Sequence, residues 1–167
     1  MNRNLIILTA LGLIMAGPAA FAGGKNNPIV HRVSVGGADA CEALGQPNGC
    51  DGNFSMAANE WADGSVKGQW QDTFAGGGEG VHIAIDCLNV IDNGVVVGGE
   101  VTHGNYSGED ATGRRAMTAV VDNGTSAKDP LDSISYTLLV PDGSDCHDYH
   151  PLQFTALFLT HGQVKVR

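Results

Sequence analysis

Nowhere in this chain do more than two basic residues adjoin, and Arg114-Arg115 is the longest such run. Nine Lys and Arg stand against 18 Asp and Glu, for a net charge of −9. Phosphate backbones and anionic headgroups are held by clustered cations that release counterions. That scarcity argues against nucleic acid or an anionic lipid surface as a partner. The chain also lacks any C-x2-C pair and its cysteine spacings are irregular, so a zinc reading of the cysteines fails. It has no G-x-S-x-G, no H-E-x-x-H and no phosphate-binding loop. Beyond the first 16 residues no apolar run reaches membrane-spanning length, and no amphipathic pattern of ten or more residues suggests a helix.

What is present begins with an export pattern. Met1-Asn2-Arg3-Asn4 is a short cationic start, Leu5 to Ala16 is mostly apolar, and Ala20-Phe21-Ala22 matches a signal-peptidase site. Residues 1–22 are therefore expected to be a signal peptide. Residues 23–167 are expected to form a single β-rich domain with an N-terminal bridged loop. The destination is the periplasm or the exterior, with no membrane span after cleavage, and there thiols oxidise. Cys41, Cys50, Cys87 and Cys146 allow three pairings. Gly45, Pro47 and Gly49 let the chain double back between Cys41 and Cys50, which favours that local bridge and leaves Cys87 for Cys146. The second bridge closes a loop of nearly sixty residues (separation 59), restraining the unfolded chain by roughly 4 kcal/mol.

Downstream of about residue 29 the dominant period is two. Val33 and Val35 open it. Phe54, Met56 and Ala58 follow, and after Asp63-Gly64 come Val66, Gly68, Trp70 and Phe74, with Asp72 an unexplained carboxylate on that apolar face. Val81, Ile83, Ile85 and Cys87 lead through Asn93-Gly94 to Val95, Val97, Gly99 and Val101. Met117, Ala119 and Val121 come next, then Ile134, Tyr136, Leu138 and Val140, then Phe154, Ala156 and Phe158, then Val164 and Val166. Residues 36–50, 103–113 and 124–131 read as loops. Such short alternating runs, punctuated by turn dipeptides, indicate an all-β fold of seven to nine antiparallel strands. A barrel is preferred to a barrel-like sandwich, because successive hairpins read as a meander. Gly68, two positions from Trp70, leaves room for the indole, so Trp70 is read as core.

Gly64-Ser65-Val66-Lys67-Gly68-Gln69, Val81-His82, Asp122-Asn123-Gly124, Ser133-Ile134-Ser135-Tyr136-Thr137-Leu138 and Gly162-Gln163-Val164-Lys165-Val166 occur in that order. Over roughly residues 54–167 this series resembles the post-COAP family, small β-rich domains of exported bacterial proteins. The resemblance implies an accessory role in a bacterial envelope, with no catalytic residues to carry over. The four cysteines and the segment Cys146 to His150 depart from the family pattern.

Two polar clusters could hold a divalent metal, though the fold requires none. Asp145, His147, Asp148 and His150 offer the imidazole and carboxylate ligands that borderline metals accept, with His161 or His103 as a further ligand. Asp122, Asn123, Asp129 and Asp132 offer hard oxygens of the calcium type, without the fixed spacing of an EF-hand. Glu79, Asp86, Glu100, Glu109 and Asp110 could supply a carboxylate pair, and Trp61, Trp70, Tyr106 and Tyr149 a ligand-stacking surface. The expected function is an exported, non-enzymatic module that binds an unknown ligand or envelope protein. A metal-dependent or carboxylate-based hydrolase using His147 and His150 is the alternative.

Overall fold

The computed structural model describes residues 27–38, 53–74, 80–126, 128–159 and 161–167. The expected signal peptide, Glu79, and the expected Cys41–Cys50 bridge lie outside the described residues. Eleven strands form one antiparallel sheet: β1 (Ile29–Ala38), β2 (Asn53–Trp61), β3 (Val66–Thr73), β4 (Gly80–Ile91), β5 (Gly94–Tyr106), β6 (Glu109–Asp110), β7 (Arg115–Val121), β8 (Ser133–Ser135), β9 (Leu138–Val140), β10 (Ala156–Phe158) and β11 (His161–Val166). Nine of them run in the order β10-β8-β7-β5-β4-β3-β2-β1-β11, while β6 pairs with β5 and β9 with β7. The expected meander is therefore present from β1 to β5.

This order cannot be laid out flat. The strands at its two extremes, β10 and β11, are joined by only two residues, and extended chain spans at most about 3.6 Å per residue. The sheet must curl until its ends meet, which makes it barrel-like. At the meeting line no ladder forms among the described residues. The outward N–H groups of β11 instead donate to carboxylates flanking β7 and β8: Val164 N to Asp132 Oδ2 at 2.7 Å, and Val166 N to Asp122 Oδ2 at 3.0 Å. Asp132 Oδ1 also accepts from Asn123 N at 2.8 Å, and Asp122 Oδ1 from Gly124 N at 3.0 Å. Two acidic side chains thus stand in for a missing strand pairing.

Alternation places Val33, Val35, Phe54, Met56, Ala58, Trp70, Val81, Ile83 and Val164 in one interior core. Trp70 is 1% exposed and stacks on Phe54, the core position expected of it, but the space at Gly68 serves Ala57 and Ala58 of β2, which a Cβ there would meet, rather than the indole. Its indole N–H finds no acceptor among the described residues, so packing alone holds the ring. The β2–β3 hairpin turns at Asp63-Gly64. Gly64 takes a φ of 79°, and the Asp63 carboxylate accepts from both the N–H and hydroxyl of Ser65.

A second, smaller core lies on the outside of β4, β5 and β7. Cys87, Val96, Met117 and Cys146 cluster there under Val140, Tyr149 and Phe154. The covering segment makes two 3-10 turns, Cys146–Asp148 and Pro151–Gln153, and is tied down by the Cys87–Cys146 disulfide. Because both faces of β5 are covered here, Gly94 to Gly99 are all buried, where alternation alone leaves every second residue in solvent.

Several strand phases differ from the sequence reading. The register slips between Ile85 and Cys87, so Asp86 is an extra residue. That bulge turns Cys87 to the outer core and hands the inner position to Leu88. The β4–β5 turn is centred on Asp92 and Asn93, with Asp92 at φ 54°, rather than on Asn93-Gly94. Gly94 is needed for space: a Cβ there would lie 3.0 Å from Pro151 Cγ. Residues 103–113 are largely strand, since β5 runs to Tyr106 and pairs with β6. The run from Ile134 to Val140 breaks into β8 and β9, leaving Tyr136 and Leu138 exposed. In β10 the buried residue is Leu157, opposite Ile134, whereas Phe158 is exposed and Phe154 packs against the outer core.

Candidate functional site

The outer face of β2 to β5 carries a groove of about 640 Å³. Cross-strand register builds it. Ser55 on β2 faces Gln71 on β3, Gln71 faces His82 on β4, and His82 faces His103 on β5. The adjoining row is Ala57, Gln69 and Ala84, and it ends on β5 at the exposed Glu100, at the groove's edge. A second irregularity, between His82 and Ile83, makes Thr102 the extra residue. Thr102 and His103 are therefore both exposed, where strict alternation from Val101 would turn His103 inward. The Thr102 hydroxyl donates to the His82 carbonyl at 3.0 Å, closing the gap.

The His82 and His103 rings stack with centroids 3.9 Å apart and planes 18° apart. Partial burial, and then the proximity of His103, hold His82 below the usual imidazole range, which favours the neutral ring. The groove combines outward amides, hydroxyls, methyls and this imidazole pair with the apolar Val35, Met56, Trp70 and Ile83 beneath them, and no carboxylate, Lys or Arg lines it. On a chain of net charge −9 that is a local exception.

Asp72 faces the core end of the same strands. It lies opposite Phe54 and Val81, both buried, and its Oδ2 accepts from Thr137 Oγ1 at 2.5 Å. The Tyr106 hydroxyl in turn donates to the Thr137 carbonyl at 3.0 Å. Burial pushes the Asp72 carboxyl up to about 6, against the opposing pull of the Thr137 hydrogen bond. The folded state therefore holds this proton more tightly than the unfolded chain, whose Asp titrates near 3.9. Stability from this group is fully present below about pH 4, and is lost as pH rises to about 6, by up to roughly 2–3 kcal/mol. Asp63, Asp110 and Asp145 are shifted the other way by hydrogen bonds, so their contributions fade only at lower pH. Asp72→Asn keeps an acceptor for Thr137 and is expected to flatten the pH 4–6 slope and raise stability at pH 7. Urea titrations at pH 4.5 and 7.5 check this, and an unchanged slope in the variant rules Asp72 out as its source.

The sequence-derived metal set divides. Asp145 and His147 are brought together: Asp145 Oδ1 lies 2.8 Å from His147 Nδ1, and the same oxygen accepts the His147 N–H at 3.0 Å. They sit beside the disulfide, with His147 Nδ1 3.7 Å from Cys87 Sγ. His150 does not join them, because its Nδ1 accepts from Leu152 N and caps the second 3-10 turn. Asp148 is exposed and adds no ligand atom to that group, and neither do His103 and His161. Of the calcium-type residues, Asp122 and Asp132 accept backbone N–H groups at the seam, and Asp129 accepts from Ser126 N.

Asp86 forms a two-oxygen contact with Arg115 at 2.6 and 2.7 Å, Glu100 is exposed, and Asp110 accepts from Thr112. The aromatic candidates are dispersed, Trp70 in the inner core beneath the groove it helps to line, Tyr106 against Phe74 and Tyr149 against Phe154. The groove residues were missed in the sequence because they lie on four strands and meet only through register. Their one local signal was a run of uncharged polar residues at outward positions. No family model, curated protein or solved structure matches this chain.

Proposed function

We propose that this chain is an exported, non-enzymatic binding module whose groove takes a neutral, hydroxyl-rich ligand such as an oligosaccharide. The observation that carries the reading is the uncharged lining, in which hydrogen-bonding side chains adjoin apolar surface. Gln69, Gln71, Ser55 and Thr102 donate and accept hydrogen bonds, and the stacked imidazoles of His82 and His103 offer a flat surface for a sugar ring. A volume of about 640 Å³ falls within the range of small-molecule sites. The intrachain disulfide supports export, since cytosolic thiols are kept reduced. The likeness of residues 54–167 to post-COAP domains fits an accessory role in a bacterial envelope, with an envelope protein or glycan as partner.

Titration calorimetry against soluble neutral oligosaccharides of glucose, galactose and N-acetylglucosamine tests this. One-to-one binding is expected for at least one of them, weakened about tenfold by Gln71→Ala or His82→Ala, the effect of removing about one good hydrogen bond. Binding that survives both substitutions together would move the ligand elsewhere on the molecule. Absence of binding across the panel would end the oligosaccharide reading.

A further inference from the structure

Four side chains with metal-ligating atoms converge beneath the first 3-10 turn. Sγ of Cys87 and Cys146, Nδ1 of His147 and a carboxylate oxygen of Asp145 all lie within 4.8 Å of one another. Zinc bound tetrahedrally at the usual bond lengths would place its ligand atoms about 3.3–3.8 Å apart. Cys87 Sγ lies 3.4 Å from Asp145 Oδ1 and 3.7 Å from His147 Nδ1, while Cys146 Sγ lies 3.9 Å from His147 Nδ1. Asp145 and His147 are slightly closer, at 2.8 Å, because they now share a hydrogen bond that a metal would replace. The contracted edge of the tetrahedron is the one between the two sulfurs, which are bonded to each other.

We propose that the dithiol form of this protein is a zinc-binding form, with Cys87, Cys146, His147 and Asp145 as its four ligands, and that exchange with a low-molecular-weight disulfide, which takes up two electrons and two protons to leave as two thiols, forms the Cys87–Cys146 bridge and releases the zinc ion. A phosphine reductant opens the bridge by taking up the oxygen of one water, leaving two thiols and a phosphine oxide. Zinc then displaces the two thiol protons and binds two thiolates. Disulfide Cβ atoms sit about 3.8 Å apart, so rotation about χ1 carries the sulfurs to tetrahedral spacing without moving the backbone. The sulfurs form a buried base, Cys146 at 0% and Cys87 at 7% exposure, while Asp145 and His147 are both largely exposed and give the ion its way in. The Asp145 side chain is already oriented by the His147 backbone N–H at 3.0 Å.

The test uses the chain carrying Cys41→Ser and Cys50→Ser, so that only Cys87 and Cys146 supply sulfur. It is reduced anaerobically with a phosphine and titrated with Co²⁺, then with Zn²⁺ against a chromophoric chelator. One metal per chain is expected in the reduced protein, with a thiolate-to-cobalt charge-transfer band, and none in the oxidised protein at the same concentrations. His147→Ala is expected to weaken zinc binding roughly tenfold or more, and His150→Ala with Asp148→Ala to leave it unchanged. Circular dichroism follows folding in parallel, and recovery of a β spectrum on adding zinc to a reduced, unfolded chain also supports the site. The absence of a charge-transfer band, equal zinc affinity in reduced and oxidised protein, or a reduced chain that saturating zinc does not refold would each overturn the proposal.

Discussion

Asp132→Ala is expected to cost about 3–5 kcal/mol, because this carboxylate accepts two of the backbone N–H groups at the seam and each hydrogen bond to a charged group contributes about 1.5–3 kcal/mol. Asp132 is 8% exposed and Val164, one of its two donors, is 0% exposed. Removing the side chain leaves the Val164 N–H without an acceptor in a place that water does not reach. The penalty is then desolvation of a stranded donor as well as the loss of a bond. Asp132→Asn distinguishes this account from simple packing, since the two side chains have nearly the same size. An ionised carboxylate accepts at both oxygens, whereas an amide accepts at one end and donates at the other. The amide would point N–H at N–H toward either Val164 or Asn123, so Asn is expected to recover less than half of the loss. Asp129→Ala, on an exposed loop, should change stability by under about 0.5 kcal/mol. Urea unfolding of the three variants, with amide exchange of Val164, measures the set. Wild-type stability in Asp132→Asn would show that the seam depends on shape rather than on two acceptors.

Replacing Cys87 and Cys146 together by alanine is expected to lower stability by about 2–4 kcal/mol, the usual effect of releasing a long loop. The bridge joins residues 59 apart and pins the segment that covers the outer core. Other ties hold that segment too: Asn89 Nδ2 donates to the Tyr149 carbonyl at 2.9 Å, and Arg115 Nε to the Ser144 carbonyl at 3.1 Å. The variant is therefore expected to stay folded, with the loss appearing first as faster amide exchange around Val96 and Met117. Denaturant unfolding by linear extrapolation gives the magnitude. A loss under about 1 kcal/mol would assign the anchoring to these side-chain bonds and to Tyr149 and Phe154.

The sequence alone determined what depends on neighbours along the chain. Period-two alternation marked β2, β3 and β4, and Asp63-Gly64 marked the hairpin between β2 and β3, because side-chain direction and turn conformation are set over two to four residues. The Cys87–Cys146 pairing was also legible, because the expectation of a local bridge between Cys41 and Cys50 left these two for each other. Only the tertiary structure decided what depends on register. A single extra residue at Asp86 inverts the face of everything after it in β4, and no composition rule marks such a bulge. Asp122 and Asp132 read as metal-type oxygens until β11 is seen to return beside them with its N–H groups unpaired. Asp72, an anomaly in the alternation, becomes intelligible once Thr137, in the break between β8 and β9 and 65 residues away, reaches it. The groove belongs to the same class: Ser55, Gln71, His82 and His103 are ordinary outward residues on four separate strands, and only pairing those strands in one register makes them a single surface.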